Sequence, residues 1–216
     1  MLHFLYVIAI IAEAMSAAFS AGRRDMDYMG VVIIAWITAL GGGTIRNLML
    51  GHYPMTWVEH PLYLILTALA ALITTFSSNR IYKFRKTFLI LDAVGLVVFT
   101  ILGCKLAIQL SMEPIIVIIS GMVTGCAGGI MRDILCNDVP LIFQKEIYAS
   151  VSLVTGGIYV MALYFFGSEF HFDTLLAFVV GLSLRLLAVH YDWSLPKFTF
   201  RDVTNKLLMY DQKTTF

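Results

Sequence analysis

Residues 41–50, GGGTIRNLML, place three consecutive glycines and an arginine inside a segment that is otherwise apolar. Glycine contributes no side-chain packing and leaves the backbone free, so the run predicts a kink or a short unwound segment in a helix. An arginine at depth in an apolar environment is costly and requires a partner or water. The stretch therefore predicts a bent helix that carries a buried charge.

A second copy of this stretch occurs later in the chain. Residues 39–54, ALGGGTIRNLMLGHYP, align with residues 125–140, GCAGGIMRDILCNDVP, at a constant offset of 86. Upstream, Glu13 stands roughly opposite Asp92, so the repeat is expected to be three helices long. Three crossings are an odd number, and the second copy must therefore enter the membrane inverted, as in many transport proteins. The aligned pairs are Gly42 with Gly128, Gly43 with Gly129, Arg46 with Arg132, Asn47 with Asp133 and Pro54 with Pro140.

The composition is that of a membrane protein. Of 216 residues, 59% are hydrophobic and 13% are charged, against roughly 25% charged residues in soluble domains. The net charge is only +1, and no basic run interleaved with aromatic residues is present, which argues against a nucleic-acid partner. The electrostatics must therefore be considered separately for each side of the membrane.

Seven segments are long and apolar enough to be membrane spans. They cover residues 2–21, 30–50, 61–78, 88–110, 114–135, 147–167 and 172–191. The predicted fold is an all-α membrane protein of seven transmembrane helices, an inverted 3+3 repeat plus one, with glycine-kinked second and fifth helices. The predicted transmembrane domain spans residues 1–191, with repeat one at about 1–80, repeat two at about 87–167, the seventh helix at 172–191 and a cytoplasmic tail at 192–216.

Lysine and arginine set the expected orientation. Outside the predicted spans they fall in the first, third and fifth loops and in the tail, whereas the intervening loops GHYPMTWVEHP, SMEP and GSEFHFD contain neither residue. The N-terminus is therefore expected outside and the C-terminus in the cytoplasm. The residues on the cytoplasmic side are Arg23, Arg24, Arg80, Lys83, Arg85, Lys86, Lys145, Lys197, Arg201, Lys206 and Lys213.

The inverted repeat places the two arginines on opposite halves of the membrane, Arg46 on the outer half and Arg132 on the inner half. Asp133 is adjacent to Arg132 and is not expected to share its helix face, so Glu13 and Asp92 are the predicted partners. Two interpretations remain open. The charges either form a structural ion pair that locks helices together, or they gate a polar path.

Other residues fit such a path without defining it. The predicted kinks are at Gly41, Gly42, Gly43, Gly128 and Gly129, and the predicted polar lining consists of Ser16, Thr44, Asn47, Ser120 and Thr124. Serine and threonine also bond to their own helix, which is the alternative for these side chains. Gly121 and Gly125 have GxxxG spacing and Gly128 follows three residues later, a pattern that suits contact between protomers or packing within one protomer equally well.

The sequence offers no enzyme or metal constellation. Three cysteines lack CxxC spacing and are interpreted as small packing residues, and five scattered histidines lack HExxH spacing. We therefore expect neither catalytic residues nor a cofactor.

The motifs GGGTIRN, DAVGLVVFTILG and GCAGGIMRDIL closely resemble those of the bacterial branch of the trimeric intracellular cation (TRIC) channel superfamily. The resemblance extends over nearly the whole chain except the tail. It implies a homotrimer in the bacterial inner membrane, with potassium as the chief permeant ion, an ion path in each protomer and membrane lipid around it. The charged residues of the path would be Arg46, Arg132 and Asp133.

Two features keep alternatives open. Arginines beside a cation path repel cations, so selectivity would depend on Glu13, Asp92, Asp133 and backbone carbonyls. Relatives of this family are also labelled as glycine transporter domain proteins. The alternative function is therefore a secondary transporter for a small amino acid such as glycine.

Overall fold

The structure is a computed structural model that describes residues 2–77, 84–144, 147–167, 172–191 and 193. These residues are helical over most of their length. The helices are α1 (Leu2–Gly22), α2 (Tyr28–Leu50), α3 (Thr56–Glu59), α4 (Leu62–Ser77), α5 (Phe84–Gln109), α6 (Pro114–Leu135), α7 (Leu141–Gln144), α8 (Tyr148–Phe166) and α9 (Phe172–His190).

Six of the seven expected spans are long and apolar enough to cross a membrane, namely α1, α2, α5, α6, α8 and α9. The third expected span is α4, an apolar helix of 16 residues. Residues 78–83, which directly follow this helix, lie outside the described residues. Arg80, Lys83, Lys145 and the tail apart from Trp193 lie outside the described residues, so the predicted tail is not located.

Each copy of the repeat consists of three long helices and a one-turn helix. The first copy comprises α1, α2, α3 and α4, and the second comprises α5, α6, α7 and α8. Pro54 precedes α3 and Pro140 precedes α7, so the sequence equivalence continues into the short helices. The additional helix, α9, packs against α5 and α8.

Helices α2 and α6 cross in an antiparallel manner at the glycines of the two motifs. A Cβ atom added to Gly42 would overlap the carbonyl oxygen of Thr124, and one added to Gly128 would overlap that of Thr38. Both threonines and both glycines are related by the offset of 86. The glycines therefore allow two backbones to touch at the crossing.

The expectation of broken helices is wrong in one respect. α2 is helical without interruption through Gly41–Gly43, and α6 is helical through Gly128 and Gly129. Close packing between the helices, which the sequence pattern did not distinguish from flexibility, explains why glycine is required at Gly42 and Gly128. A bend that keeps helical hydrogen bonding stays a prediction.

The other small residues of α6 pack inside the protomer. Gly121 faces Thr100 and Cys104 of α5, and Gly125 faces Thr100 and Leu96 of the same helix. Of the two alternatives for the GxxxG spacing, packing within one protomer is therefore confirmed. The three cysteines are buried and free, as expected for packing residues.

Candidate functional site

Arg132 lies at the centre of a buried charge cluster formed by α1, α5 and α6. Its side chain is 0% exposed, and Nη1 donates to Asp92 Oδ1 at 2.9 Å and to Ser16 Oγ at 2.6 Å. Glu13 Oε2 is 3.7 Å from the same nitrogen. The two carboxylates predicted as partners of this arginine are therefore confirmed as its neighbours.

The prediction that Asp133 does not reach Arg132 is wrong. Arg132 Nε donates to Asp133 Oδ1 at 2.8 Å, while Asp133 Oδ2 accepts from the backbone N–H of Leu141 at 2.9 Å. The long arginine side chain folds back along its helix, so helix-face geometry alone does not exclude a neighbour in sequence. Asp133 thereby joins the charge cluster to the start of α7.

Two further residues complete the cluster and were not selected from the sequence. Tyr148 of α8 donates from its hydroxyl to Asp92 Oδ1 at 3.2 Å. Arg185 of α9 is 2% exposed, places Nη2 3.8 Å from Asp92 Oδ2, and stacks its guanidinium over the Tyr148 ring at 4.5 Å. The signal for Arg185 was available, since it is an arginine within the apolar helix α9 and the depth argument used for Arg132 applies to it.

The cluster combines three carboxylates with two guanidinium groups, so it carries one net negative charge when all five groups are ionised. Several of its buried atoms have no hydrogen-bond partner in the described part of the chain. These atoms are Glu13 Oε2, Asp92 Oδ2, Arg132 Nη2, Arg185 Nε and Arg185 Nη2.

Arg46 has a different environment from Arg132, the equivalent residue in the second repeat. It is 7% exposed, and its Nε and Nη2 atoms both donate to Asn47 Oδ1, at 2.9 and 2.6 Å. Among the described residues, no carboxylate lies within 4.0 Å of its nitrogens. Glu13 and Asp92 therefore form ion pairs with Arg132 and not with Arg46.

The rough equivalence of Glu13 and Asp92 also requires correction. At the offset of 86 that relates α2 to α6, Asp92 is equivalent to Tyr6, and Glu13 is equivalent to Phe99. Tyr6 lies within electrostatic range of Arg46, as Asp92 does of Arg132. Glu13 and Asp92 are thus not at equivalent positions of the two repeats, and both belong to the charge cluster around Arg132.

The predicted polar lining divides into two groups. Ser16 and Asn47 bind the arginines, as described above, whereas the three other side chains bond to backbone carbonyls. Thr44 Oγ1 donates to Leu40 O and also accepts from Trp57 Nε1 at 3.2 Å. Ser120 donates to Gly103 O and Thr124 donates to Ser120 O.

The predicted kink residues occupy three kinds of position. Gly42 and Gly128 lie at the helix crossing, and Gly41 faces the side chain of Met131. Gly43 lies beside Arg46, whereas a Cβ at Gly129 would be 3.1 Å from the Tyr148 hydroxyl. Gly129 thus borders the charge cluster.

Comparison with known proteins places this arrangement in a family of polytopic membrane proteins. A family model described as "Glycine transporter" matches residues 3–79 and 89–164, two segments that begin 86 positions apart and correspond to the two copies of the repeat. The UPF0126 inner membrane protein YadS of Escherichia coli K12 is 34% identical over 199 residues, covering 92% of this chain and 96% of the relative. The UPF0126 membrane protein YvgT of Bacillus subtilis is 34% identical over 91% of this chain and 96% of the relative.

Solved structures extend the comparison to the fold. The TRIC trimeric intracellular cation channel orthologue from Rhodobacter sphaeroides superimposes with a TM-score of 0.84 at 32% identity, covering 89% of this chain and 98% of that chain. A structure described as giving the basis for conductance through TRIC cation channels has a TM-score of 0.82 at 37% identity, covering 93% of this chain and 98% of that one. The chain belongs to the TRIC channel superfamily, in its bacterial branch, whose family model carries the glycine transporter description.

Proposed function

We propose that this protein is a homotrimeric channel for monovalent cations, chiefly potassium, with an ion path in each protomer between the two repeats. The observation that carries the proposal is the similarity to TRIC cation channels over about nine-tenths of the chain at 32–37% identity. The buried charge cluster at the junction of the repeats adds a site-level argument. This resemblance to channels also favours a channel over an enzyme.

The path is best placed beside the crossing of α2 and α6, not through it. Because the two backbones touch at Gly42 and Gly128, the crossing itself leaves no room for an ion. α1 packs against α2, α5 packs against α6, and α1 and α5 pack against each other. The four helices therefore enclose the region where we place the path.

Arg132 is the proposed gate on the inner half of the path. Its side chain reaches from α6 to Asp92 on α5 and to Ser16 on α1, and so bridges the walls of the proposed path. The three carboxylates that neutralise it would attract a cation once the arginine moves. Opening then corresponds to a change in the partners of Arg132.

The proposed topology puts the N-terminus outside and the C-terminus in the cytoplasm of a bacterial inner membrane. Arg23 and Arg24, in the loop between α1 and α2, are exposed and contact Asp138 after α6. Both loops would then lie on the cytoplasmic side, in agreement with the positive-inside rule. The trimer and surrounding lipid would cover apolar surface such as that of Ile65, Leu69, Ile73 and Phe76 on α4, which are all exposed in one protomer.

Recording from a planar bilayer that contains the purified full-length protein tests the proposal. Unitary current steps whose reversal potential follows the potassium gradient support a potassium-permeable channel. A reversal potential that follows the anion gradient, or an absence of unitary steps, contradicts it. Cross-linking of the same preparation to a trimer tests the assembly.

The alternative is a secondary transporter for a small amino acid such as glycine. The description of the matching family model favours it, as does an arginine without a carboxylate partner, which suits a substrate carboxylate. Saturable uptake of labelled glycine into liposomes, without current steps, would support the carrier and exclude the channel.

A further inference from the structure

Arg46 is a buried cation whose charge the described part of the chain does not neutralise. It is 7% exposed and bonds only to the amide oxygen of Asn47, through Nε and Nη2. Its remaining nitrogen, Nη1, makes no hydrogen bond to the described residues and, unlike Arg132 Nη2 and Arg185 Nη2, is not one of their fully buried unpaired atoms. An arginine is not deprotonated in proteins, so the positive charge persists at this depth.

The repeat shows how this environment differs from that of Arg132. Position by position, the two acids that Arg132 contacts in its own repeat are neutral at the equivalent sites, because Asp92 is replaced by Tyr6 and Asp133 by Asn47. Tyr6 lies within electrostatic range of Arg46. Both replacements keep a polar side chain but remove its negative charge.

The partners contributed by the opposite repeat are replaced in the same way. Glu13 is equivalent to Phe99, and Ser16 is equivalent to Leu102. The Phe99 ring is 6.1 Å from that of Tyr6, so this apolar residue does lie at the corresponding place in the fold. The Arg46 site is thus a copy of the Arg132 site from which every counter-charge has been removed.

A largely buried charge without a counter-ion is costly, because its partial desolvation is not repaid by Coulomb attraction, and Nη1 is the nitrogen to which a counter-ion can bind. Space is available beside the Arg46 guanidinium. A Cβ atom added to Gly43 would meet only Arg46 Nη2, at 3.8 Å, and no other non-local atom within 4 Å. The single positive charge of Arg46 and the space beside it are suited to binding one small anion.

We propose that Arg46 binds a small monovalent anion, either a halide such as chloride or a short carboxylate. Nη1 supplies the free donor, and the tyrosine and asparagine side chains at Tyr6 and Asn47 supply neutral polar surroundings. Both kinds of anion share the chemistry that a lone guanidinium recognises.

This site has a consequence for conduction, which rests on the proposed function. A bound anion cancels the positive potential of Arg46 and so removes a barrier to cations on that half of the path. In the other half, Glu13, Asp92 and Asp133 perform this role for Arg132. The two halves of an inverted repeat would then reach the same electrostatic result with an external anion on one side and built-in carboxylates on the other.

Thermal unfolding of the purified full-length protein tests the site without reference to ion currents. Sodium chloride is titrated against sodium gluconate at constant ionic strength. A ligand that binds only the folded state raises Tm, so we expect a saturable increase of a few degrees with chloride in the wild type. Crystals grown in sodium bromide should show one anomalous peak beside Arg46 in each protomer.

Asn47→Asp is the decisive variant, because it places a carboxylate where the repeat has Asp133 and keeps the size of the side chain. We expect it to lose the chloride response and the bromide peak while folding normally. Arg46→Gln should lose both as well, and Arg23→Gln, which removes an exposed arginine, should keep both. An unchanged chloride response in Asn47→Asp, or a bromide peak that persists in Arg46→Gln, would overturn the proposal.

Sodium formate and glycine distinguish the two sources of the anion. Stabilisation by formate or glycine at lower concentrations than chloride, lost in Asn47→Asp, assigns the site to carboxylates. Stabilisation by chloride alone assigns it to halides. Because these measurements require no current, the anion site and the proposed channel function can fail independently.

Discussion

Thr38 of α2 and Gly128 of α6 meet at the point where the two helices cross, and the repeat reproduces this contact between Thr124 and Gly42. In each case the glycine lies against the carbonyl oxygen of the threonine. The crossing therefore has the pseudo-twofold symmetry of an inverted repeat, built from two small residues in each copy. The same four residues determine how closely the halves of the molecule approach.

Gly128→Ala should destabilise the protein, because the added methyl group overlaps the backbone carbonyl oxygen of Thr38, which cannot move away as a flexible side chain could. Overpacking of this kind costs about 1–3 kcal/mol. Unfolding of the purified protein in detergent measures the loss.

Gly157→Ala is the matched control, since Gly157 also lies within a helix but, among the described residues, nothing outside its own turn of helix comes within 4 Å of the added Cβ. This variant should be as stable as the wild type or slightly more stable. Equal stability of the two variants would show that the contact of Gly128 with Thr38 does not limit the helix approach.

Removal of one member of the buried charge cluster should be strongly destabilising. Asp92→Asn leaves Arg132 and Arg185 without their shared carboxylate, and breaking a buried pair costs about 3–5 kcal/mol. The measurement is the free energy of unfolding, for Asp92→Asn, Arg132→Gln and the double variant.

Asp138→Asn provides the comparison, because its partner Arg24 is 38% exposed and Asp138 is 31% exposed. Exposed ion pairs contribute only about 0–1 kcal/mol. If Asp92→Asn costs no more than Asp138→Asn, the cluster does not hold the helices together, and only its proposed role in the path remains.

Arg46→Ala and Arg132→Ala test whether the two arginines gate the proposed channel. Arg132 bridges α6 to α1 and α5, so its removal should increase open probability and alter voltage dependence. A charge that crosses the full membrane field contributes about 2.3 kcal/mol per 100 mV, so even a partial movement biases opening. Planar bilayer recording at a series of voltages provides the test, and unchanged conductance and voltage dependence in both variants would exclude a gating role.

Gly43→Ala and Gly129→Ala compare the same motif position in the two repeats. At Gly43 the added Cβ lies at an ordinary distance of 3.8 Å from Arg46 Nη2, whereas at Gly129 it lies 3.1 Å from the Tyr148 hydroxyl. Alanine also favours a helix over glycine by about 0.5–1 kcal/mol. We therefore expect Gly43→Ala to be at least as stable as the wild type and Gly129→Ala to be less stable.

The same pair of variants tests the predicted kinks. If Gly43 is a hinge in the gating movement, Gly43→Ala should reduce open probability even though its Tm does not fall. Wild-type currents in Gly43→Ala would show that the glycine is not required for bending at this position.

Much of the fold follows directly from the sequence. Membrane-spanning segments can be recognised in the sequence as long apolar runs. They form helices because the backbone must satisfy its own hydrogen bonds inside the membrane. The expected segments 114–135 and 172–191 differ from α6 (Pro114–Leu135) and α9 (Phe172–His190) by one residue at most. The inverted repeat was equally visible, since Arg46 and Arg132 recur with their glycines at a fixed offset.

The site was less predictable, because charge partners depend on how helices pack and on how long side chains fold. Asp133 was excluded by its position beside Arg132, yet the two side chains are 2.8 Å apart. Arg185 joined the cluster only once α9 packed against α5. Spacing along a helix does not determine contacts that a flexible arginine makes across three helices.

By itself, the sequence determined that this protein crosses the membrane several times, consists of two inverted copies, and carries one arginine of the motif in each copy. Only the tertiary structure decided that the glycines of α2 and α6 serve close approach at the crossing, and that Glu13 and Asp92 both belong to Arg132. The physical reason is that hydrophobicity and repetition are properties of the chain, whereas neutralisation of a buried charge depends on which side chains the packed helices bring within a few ångströms of it.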